Sequence, residues 1–209
     1  MLPHTHATAA PGAPKESPPS KWQNTLSFVP NFSDWRPADI VLVKADNTLI
    51  SRGIKLAQQA SLNKKMRLGA EFTHAALYIG DGQIIDITYD DSITERCVWD
   101  YCVDREVIVR RVPGLTVQDE DAVVAHALYL RQQNYSYSRW QAALSKMFSG
   151  VKTNPTQLFC STFVAACYMG GPNPAITLDA TTDHTPLYPA ILHSHSDLVS
   201  VHTEWRERL

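Results

Sequence analysis

A cysteine at the predicted start of a helix is the most chemically suggestive residue of this sequence. Cys160 lies in the segment LFCSTFV, five residues after the helix breaker Pro155. A helical pattern continues from it to about residue 169. Unpaired backbone N–H groups and the positive end of the helix dipole stabilise an anion there, so the thiol could ionise near neutral pH. The N–H groups of Cys160 and Ser161 could also bind an oxyanion. The alternative is an inert core residue, the commoner role of a free cysteine.

A histidine and an aspartate on a predicted β-hairpin could activate such a thiol. Two strand-like stretches, residues 72–79 and 83–88, flank the glycine-rich turn GDG. If the turn is a three-residue loop, His74 and Asp86 become diagonal neighbours on one face, about 7 Å apart. A two-residue loop would reverse the parity and move Asp86 to the opposite face. Taken alone, the hairpin also suits a half-buried histidine and a solvated aspartate.

These segments together resemble a known family. Residues 73–86, with the sequence THAALYIGDGQIID, look like the histidine hairpin of the NlpC-type papain-like hydrolases, in which a polar residue twelve positions after the histidine orients it. Residues 159–164 resemble the nucleophile helix of that family. The histidine precedes the cysteine here, which resembles the circularly permuted branch that includes YiiX/YebB-like hydrolases and relatives of lecithin:retinol acyltransferase. Residues 36–43 and 134–137 are similar to its opening strand and its tyrosine-containing turn.

The resemblance covers about residues 35–170 and implies a cysteine hydrolase. It implies that Cys160 attacks a carbonyl, that His74 acts as the base and that Asp86 orients the imidazole. Many relatives carry His, Glu, Gln or Asn in place of the aspartate, which leaves the substrate branch open. Candidate residues of the substrate cleft are Thr73, Tyr78 and Tyr137.

The implied substrate is an amide bond, as in peptidoglycan stem peptides or γ-glutamyl links, cleaved through an acyl-thioester intermediate. A lipid-directed thiol acyl hydrolase or acyltransferase, similar to a phospholipase, is the alternative. An inactive ligand-binding module of the same fold is a second alternative. Labelling of Cys160 by an acyl-type thiol probe would distinguish an enzyme from such a module.

The elements that must position these side chains are strands followed by helices. The patterns predict strands over residues 38–43, 72–79, 83–88 and 106–112, and helices over 49–57, 117–132, 135–148 and 160–169. Residues 61–67 are expected to form a mobile loop, and the tail after Asn173 looks irregular until about Leu198. This order favours an α+β fold with an antiparallel sheet packed against helices. The resemblance adds a permuted papain-like fold with its cysteine at a helix N-terminus.

Length and composition favour one catalytic domain. The 209 residues, 44% of them hydrophobic, suit a domain over residues 34–209, with its core at 35–170, after a proline-rich flexible leader of residues 1–33. No apolar run reaches the roughly 18 residues that cross a bilayer, so no transmembrane segment is expected. The net charge of −2 provides no positive field for nucleic acid. The four cysteines lack a CxxC pair, which favours reduced thiols.

Neither a cofactor nor a metal is expected. A metal site could be drawn among five polar residues of the tail, but a solvated tail is the simpler interpretation. These residues are Asp183, His184, His193, His195 and Asp197. The expected partners are a peptide or lipid substrate and the cell envelope, but not nucleic acid. Because the N-terminus lacks a secretory signal pattern, we expect a cytoplasmic protein or one exported by a dedicated secretion system. An exported antibacterial toxin would also meet an inhibitory partner protein.

Overall fold

A computed structural model describes residues 28–44, 48–60, 64–88, 92–102, 105–133, 160–169 and 188–207. The strands in these ranges are β1 (Phe28–Pro30), β2 (Ile40–Lys44), β3 (Phe72–Gly80), β4 (Gln83–Ile87), β5 (Ile93–Cys97), β6 (Val107–Arg111), β7 (Val199–Val201) and β8 (Trp205–Glu207). The helices are α1 (Leu49–Gln59), α2 (Lys64–Leu68), α3 (Trp99–Cys102), α4 (Val117–Gln132), α5 (Cys160–Met169) and α6 (Pro189–His193). The predicted helix over 135–148 and residues 1–27 of the predicted leader lie outside the described residues.

Six of the strands form one antiparallel sheet in the order β5-β4-β3-β2-β6-β7. Strands β1 and β8 form a separate antiparallel pair. The fold is therefore α+β, as predicted, with a six-stranded antiparallel sheet and several helices. In the part of the chain described, no helix combines the length and the apolarity needed to span a bilayer.

Alternating side chains of β2 divide the core between the two faces of the sheet. Ile40 and Leu42 are fully buried on the face that packs against α4 and α5. Val41 and Val43 are fully buried on the other face. The side chains that cover this second face include Trp35, Tyr101, Trp99 and Trp205. Since side chains alternate along a strand, such a sheet can bury both faces beneath different elements.

Several boundaries differ from the sequence-based expectations. The predicted leader extends to residue 33, but β1 and a 3₁₀ turn at Phe32–Asp34 occupy residues 28–34. Helix α2 occupies most of the segment expected to be a mobile loop, and the tail contains α6 before β7 and β8. Strand β5 and the one-turn helix α3 were not predicted. Their sequence, ITERCVWDYC with one intervening residue, is too short and polar to give a clear period.

The turn between β3 and β4 contains two residues and not the predicted three. Gly80 pairs with Gln83 across the turn, and Asp81 and Gly82 both have positive φ angles, 50° and 72°. Positive φ at both central positions is the requirement of a type I′ turn, for which Asp-Gly is a preferred sequence. The loop length expected from the glycine spacing was therefore wrong.

A β-bulge nevertheless restores the predicted register. The pairing of β3 with β4 shifts between Tyr78 and Gly80, which leaves Ile79 as an extra residue on β3. Beyond the bulge, Leu77 pairs with Ile85. This is the pairing that a three-residue loop would have produced. The residues of β3 before the bulge therefore point to the predicted faces of the sheet.

Helix α1 is attached to the body through a buried glutamine. Thr48 caps the helix, since its hydroxyl accepts the Ser51 N–H at 3.2 Å. Near the other end, the fully buried Gln58 amide donates to the carbonyls of Ala70 at 3.1 Å and Phe72 at 3.0 Å. Its oxygen accepts the N–H of Ala190 at 3.1 Å. The burial of this polar side chain is therefore compensated by three backbone hydrogen bonds.

Two glycines provide a matched test of the backbone geometry of the β3–β4 turn. We expect Gly82→Val to lower the free energy of unfolding by about 1–2 kcal/mol, because a side chain is strained at its φ of 72°. Gly53→Ala should raise it by about 0.5–1 kcal/mol, because Gly53 lies inside α1 with nothing within 4 Å of an added Cβ. Urea unfolding curves measure both changes. Equal shifts for the two variants would contradict this account of the turn.

Candidate active site

A buried carboxylate lies at the centre of the site. The side chain of Asp86 is 0% exposed, and its Oδ2 accepts a hydrogen bond from His74 Nε2 at 2.7 Å. Its Oδ1 accepts one from Arg96 Nε at 3.1 Å. The hydroxyl of Tyr101 also donates to Oδ2 and lies 3.1 Å from His74 Nε2. Three side chains from three elements therefore compensate the burial of one negative charge.

The register of the sheet places these side chains on one face. His74 lies opposite Val43 of β2, and Arg96 lies opposite Ile84 of β4. Residues directly opposite each other share a face, and both Val43 and Ile84 belong to the face that Tyr101 covers. Asp86 is two residues from Ile84 and therefore points to the same side. The bulge in the hairpin sets the register in which His74 of β3 and Asp86 of β4 share this face.

Cys160 is the first residue of α5, as predicted, and is 5% exposed. Its thiol is hydrogen-bonded to the imidazole of His74 and receives the backbone N–H groups of Ala75 and Ser161. Since Nε2 of the ring faces Asp86, the nitrogen that faces the sulfur is Nδ1. The structure thus brings the three predicted residues Cys160, His74 and Asp86 together.

An opening between two strands gives the sulfur access to the histidine. The Tyr78 N–H donates to the Asp39 carbonyl, and the Tyr78 carbonyl accepts the N–H of Ala38. Both partners directly precede β2, so the backbone polar groups of Tyr78 point toward that strand. By alternation, the N–H of Ala75 points toward β4. The pairing of β3 with β4 begins only at Leu77, and the Ala75 N–H donates to the Cys160 sulfur instead. The thiol therefore occupies the position where a neighbouring strand would otherwise accept this hydrogen bond.

Electrostatics favour an ion pair between the two catalytic candidates. Burial alone lowers the pKa of His74, but the adjacent Cys160 thiolate and Asp86 outweigh it and raise this pKa to about 10. Burial alone raises the pKa of Cys160, but the His74 charge and the two N–H donors outweigh it, so the thiol pKa lies below its ordinary value. Both shifts favour a thiolate beside an imidazolium over the neutral pair.

The same balance keeps Asp86 ionised. Burial by itself raises the pKa of the carboxyl, but the hydrogen bond and charge of His74, the Tyr101 hydroxyl and the Arg96 charge together lower it. Burial and the neighbouring carboxylate raise the pKa of Tyr101, so its hydroxyl stays protonated and remains a donor. A permanently charged Asp86 can orient the imidazole and stabilise its protonated form.

Sequence reasoning missed three contributors to this arrangement. Arg96 and Tyr101 lie on β5 and α3, the two elements that the periodicity did not reveal. The Ala75 N–H contributes through the backbone, so residue type carries no signal for it. The adjacency of Ala75 to His74 was visible, but its direction depends on where β4 separates from β3.

Two of the cleft residues inferred from the resemblance, Thr73 and Tyr78, make contacts away from the thiol. Thr73 is buried, and its hydroxyl lies 3.4 Å from that of Ser51. Tyr78 lies four residues from His74, about 13 Å along the strand. It lines an open pocket of about 750 Å³ beside Trp35 and Trp99, and the residues lining that pocket do not include the catalytic candidates. Tyr137 lies outside the described residues.

Three of the polar tail residues have partners in the described part of the chain. The ring of His193 stacks on Phe72, and Nδ1 of His195 accepts the N–H of Asp197 at 3.3 Å. Among the residues that can be described, no group of three or more His, Cys, Asp or Glu side chains could hold a metal ion. Asp183 and His184 lie outside those residues.

Thiol alkylation tests the proposed ion pair. Because His74 lowers the pKa of the Cys160 thiol, iodoacetamide should label Cys160 at a lower pH than it labels an ordinary thiol. In the variant His74→Asn, burial remains without the compensating charge, so the labelling profile should move to higher pH. Mass spectrometry of the labelled peptide measures the rate, and Cys160→Ser identifies labelling elsewhere. Superimposable profiles for wild type and His74→Asn would contradict the ion pair.

Replacing Tyr101 tests its role as a positioning residue. Tyr101→Phe keeps the ring that packs beside His74 but removes the hydroxyl bonded to Asp86. We expect the alkylation rate of Cys160 near neutral pH to fall about tenfold, since a hydrogen bond to a charged group contributes about 1.5–3 kcal/mol. The profile should also change shape, which a general loss of stability would not cause. The control is Tyr129→Phe on the exposed side of α4, and equal rates for both variants would exclude the role.

Comparisons with known proteins found no counterpart: no family model, no curated protein and no solved structure matches this chain. The functional argument therefore rests on the contacts among Cys160, His74 and Asp86 described above.

Proposed function

We propose that this protein is a cysteine hydrolase that cleaves amide bonds and has a permuted papain-like fold. The observation that carries the proposal is the hydrogen bond between the Cys160 thiol and the His74 imidazole, whose other nitrogen is bonded to the buried Asp86. A nucleophile, a base and an orienting acceptor in contact are the requirements of nucleophilic catalysis. The histidine strand precedes the cysteine helix in the chain, which supports the permuted branch of the family named above.

The first chemical step is attack on the substrate carbonyl. The Cys160 thiolate forms the S–C bond, and the carbonyl π electrons move to oxygen. The N–H groups of Cys160 and Ser161, at the start of α5, are the proposed donors to this oxyanion. The Ser161 N–H already points at the sulfur, and the Ala75 N–H stabilises the thiolate before attack.

Collapse of the tetrahedral intermediate then breaks the C–N bond. The His74 imidazolium gives its Nδ1 proton to the leaving amine, which leaves an acyl-thioester on Cys160. Neutral His74 next removes a proton from a water molecule, whose oxygen forms a C–O bond with the thioester carbon. Collapse of this second tetrahedral intermediate breaks the S–C bond and releases the carboxylic acid. The Cys160 thiolate and the protonated His74 then form the ion pair again. Throughout the cycle, Asp86 and Tyr101 hold the Nε2 side of the ring in place.

The substrate class follows from the resemblance and not from the pocket geometry. Amide bonds of peptidoglycan stem peptides or γ-glutamyl links are the leading candidates. Hydrolysis or transfer of lipid acyl groups is the second candidate, because the same thioester chemistry serves both. Contact with the cell envelope, delivery by a dedicated secretion system and an inhibitory partner protein all belong to this proposal.

Envelope digestion distinguishes these activities. We expect purified protein to release new products from whole cell envelopes, and Cys160→Ala and His74→Asn to reduce the release by about a thousandfold or more. Mass spectrometry of muropeptides and of lipids reads both classes in one experiment. Cleaved stem peptides support amide hydrolysis, whereas lysolipids or free fatty acids would replace it with the lipid activity.

Cys97→Ser is the matched control, because Cys97 is a free, half-buried thiol on β5, away from the contacts of His74. It should retain wild-type release. Products that persist undiminished in Cys160→Ala would contradict the proposal. If wild type releases nothing and Cys160 resists an acyl-type thiol probe, the protein is an inactive binding module.

A further inference from the structure

Helix α1 exposes part of its apolar side, while Ile54 and Ala57 are half-buried. Leu49, Gly53, Leu56 and Ala60 follow one another at helical spacing, and all four are exposed. Leu49 is 85% exposed and Leu56 is 65% exposed. An added Cβ at Gly53 would meet nothing within 4 Å, so the space above this side of the helix is open. A surface helix normally buries this stripe.

The side that packs against the protein contains polar side chains beside the half-buried Ile54 and Ala57. Gln58 is fully buried and bonded to three backbone groups of the neighbouring chain, and the Ser51 hydroxyl lies 3.4 Å from that of Thr73. Ser51 and Gln58 are seven residues apart, nearly two turns, so they share one side of the helix. Each follows one of the leucines, Leu49 or Leu56, by two residues, which is about 200° around the helix, so the leucines lie on the opposite side. The outward apolar stripe is thus not needed to hold the helix in place.

The surroundings of this stripe are positively charged. Residues 48–70 contain five lysines and arginines and no acidic residue, although the whole chain has a net charge of −2. Arg52, Lys64 and Arg67 are exposed, and Leu68 beside Arg67 is 65% exposed. The acids that flank this range in sequence are Asp46, which lies outside the described residues, and Glu71, which is bonded to Lys44 at 2.9 Å and lies 3.9 Å from Lys55.

We propose that the α1 surface, formed by Leu49, Leu56, Arg52, Arg67 and Leu68, binds the surface of an anionic lipid bilayer. A helix with a strong apolar side, basic flanks and little net hydrophobicity is suited to lie in the plane of a membrane interface. The leucines would enter the boundary between headgroups and acyl chains, and the basic side chains would meet the negative surface potential.

Charge favours a membrane over a second copy of the chain. In a two-fold dimer the same surface of each copy meets itself, so the basic residues of one copy would face those of the other. Anionic headgroups instead complement that charge. The surface is also linked to the candidate active site, because Thr73, which faces Ser51 of α1, directly precedes His74. Lipid binding requires no turnover, so it is testable whether or not the proposed hydrolase activity exists.

The test is co-sedimentation of the full-length protein with vesicles of phosphatidylcholine, with and without phosphatidylglycerol. We expect binding to the anionic vesicles that weakens as salt is raised. The double variant Leu49→Ser/Leu56→Ser should lower the apparent affinity about tenfold or more. Arg52→Gln/Arg67→Gln should lower it about tenfold and reduce its salt dependence.

The matched control is Val117→Ser/Tyr129→Ser, which removes two exposed apolar side chains from α4. It should bind vesicles like wild type. Absence of binding to anionic vesicles, or equal binding by wild type and the leucine variant, would overturn the proposal. Light scattering is run in parallel, because a dimer that dissociates in the leucine variant would make a second copy the occupant of this surface. Alkylation of Cys160 in each variant checks that the candidate active site is intact.

Discussion

Burial of the Asp86 carboxylate is the constraint that connects the candidate active site to the fold. An isolated ion with no exposed surface would destabilise the protein by several kcal/mol. Its donors come from three elements, His74 on β3, Arg96 on β5 and Tyr101 on α3, so these elements must assemble together for the charge to be accommodated. Cys160 joins them through His74, which makes the chemistry of the thiol dependent on the same assembly.

Much of this arrangement could be predicted because it depends on local patterns. The strand alternation around His74, the helix start at Cys160 and the glycine-rich turn are each visible within about ten residues. The loop length was wrong and the register was right, because the bulge at Ile79 compensates a turn that is one residue shorter than expected. The candidate triad required only that His74 and Asp86 point to the same face of the sheet, whichever turn type joins the two strands.

The missing parts depend on long-range structure. Arg96 and Tyr101 contribute through β5 and α3, whose short polar sequences give no period, and the Ala75 N–H contributes through the separation of two strands. Helix α1 illustrates a different limit. Its leucines predicted a helix, but periodicity cannot tell which side faces the protein. The buried Gln58, with three backbone partners, determines that side.

The pairing of β1 with β8 has a topological consequence. Phe28 lies opposite Glu207, and the Asn31 N–H is bonded to the Glu204 carbonyl at 2.7 Å, so early and late segments of the chain run side by side. Opposite residues on paired strands are only about 5 Å apart, a gap that a brief linker can bridge. A polypeptide joined here and cut at another surface loop could retain every sheet contact while reversing the order of histidine and cysteine. The pairing of the strands therefore does not require this order of the two residues along the chain.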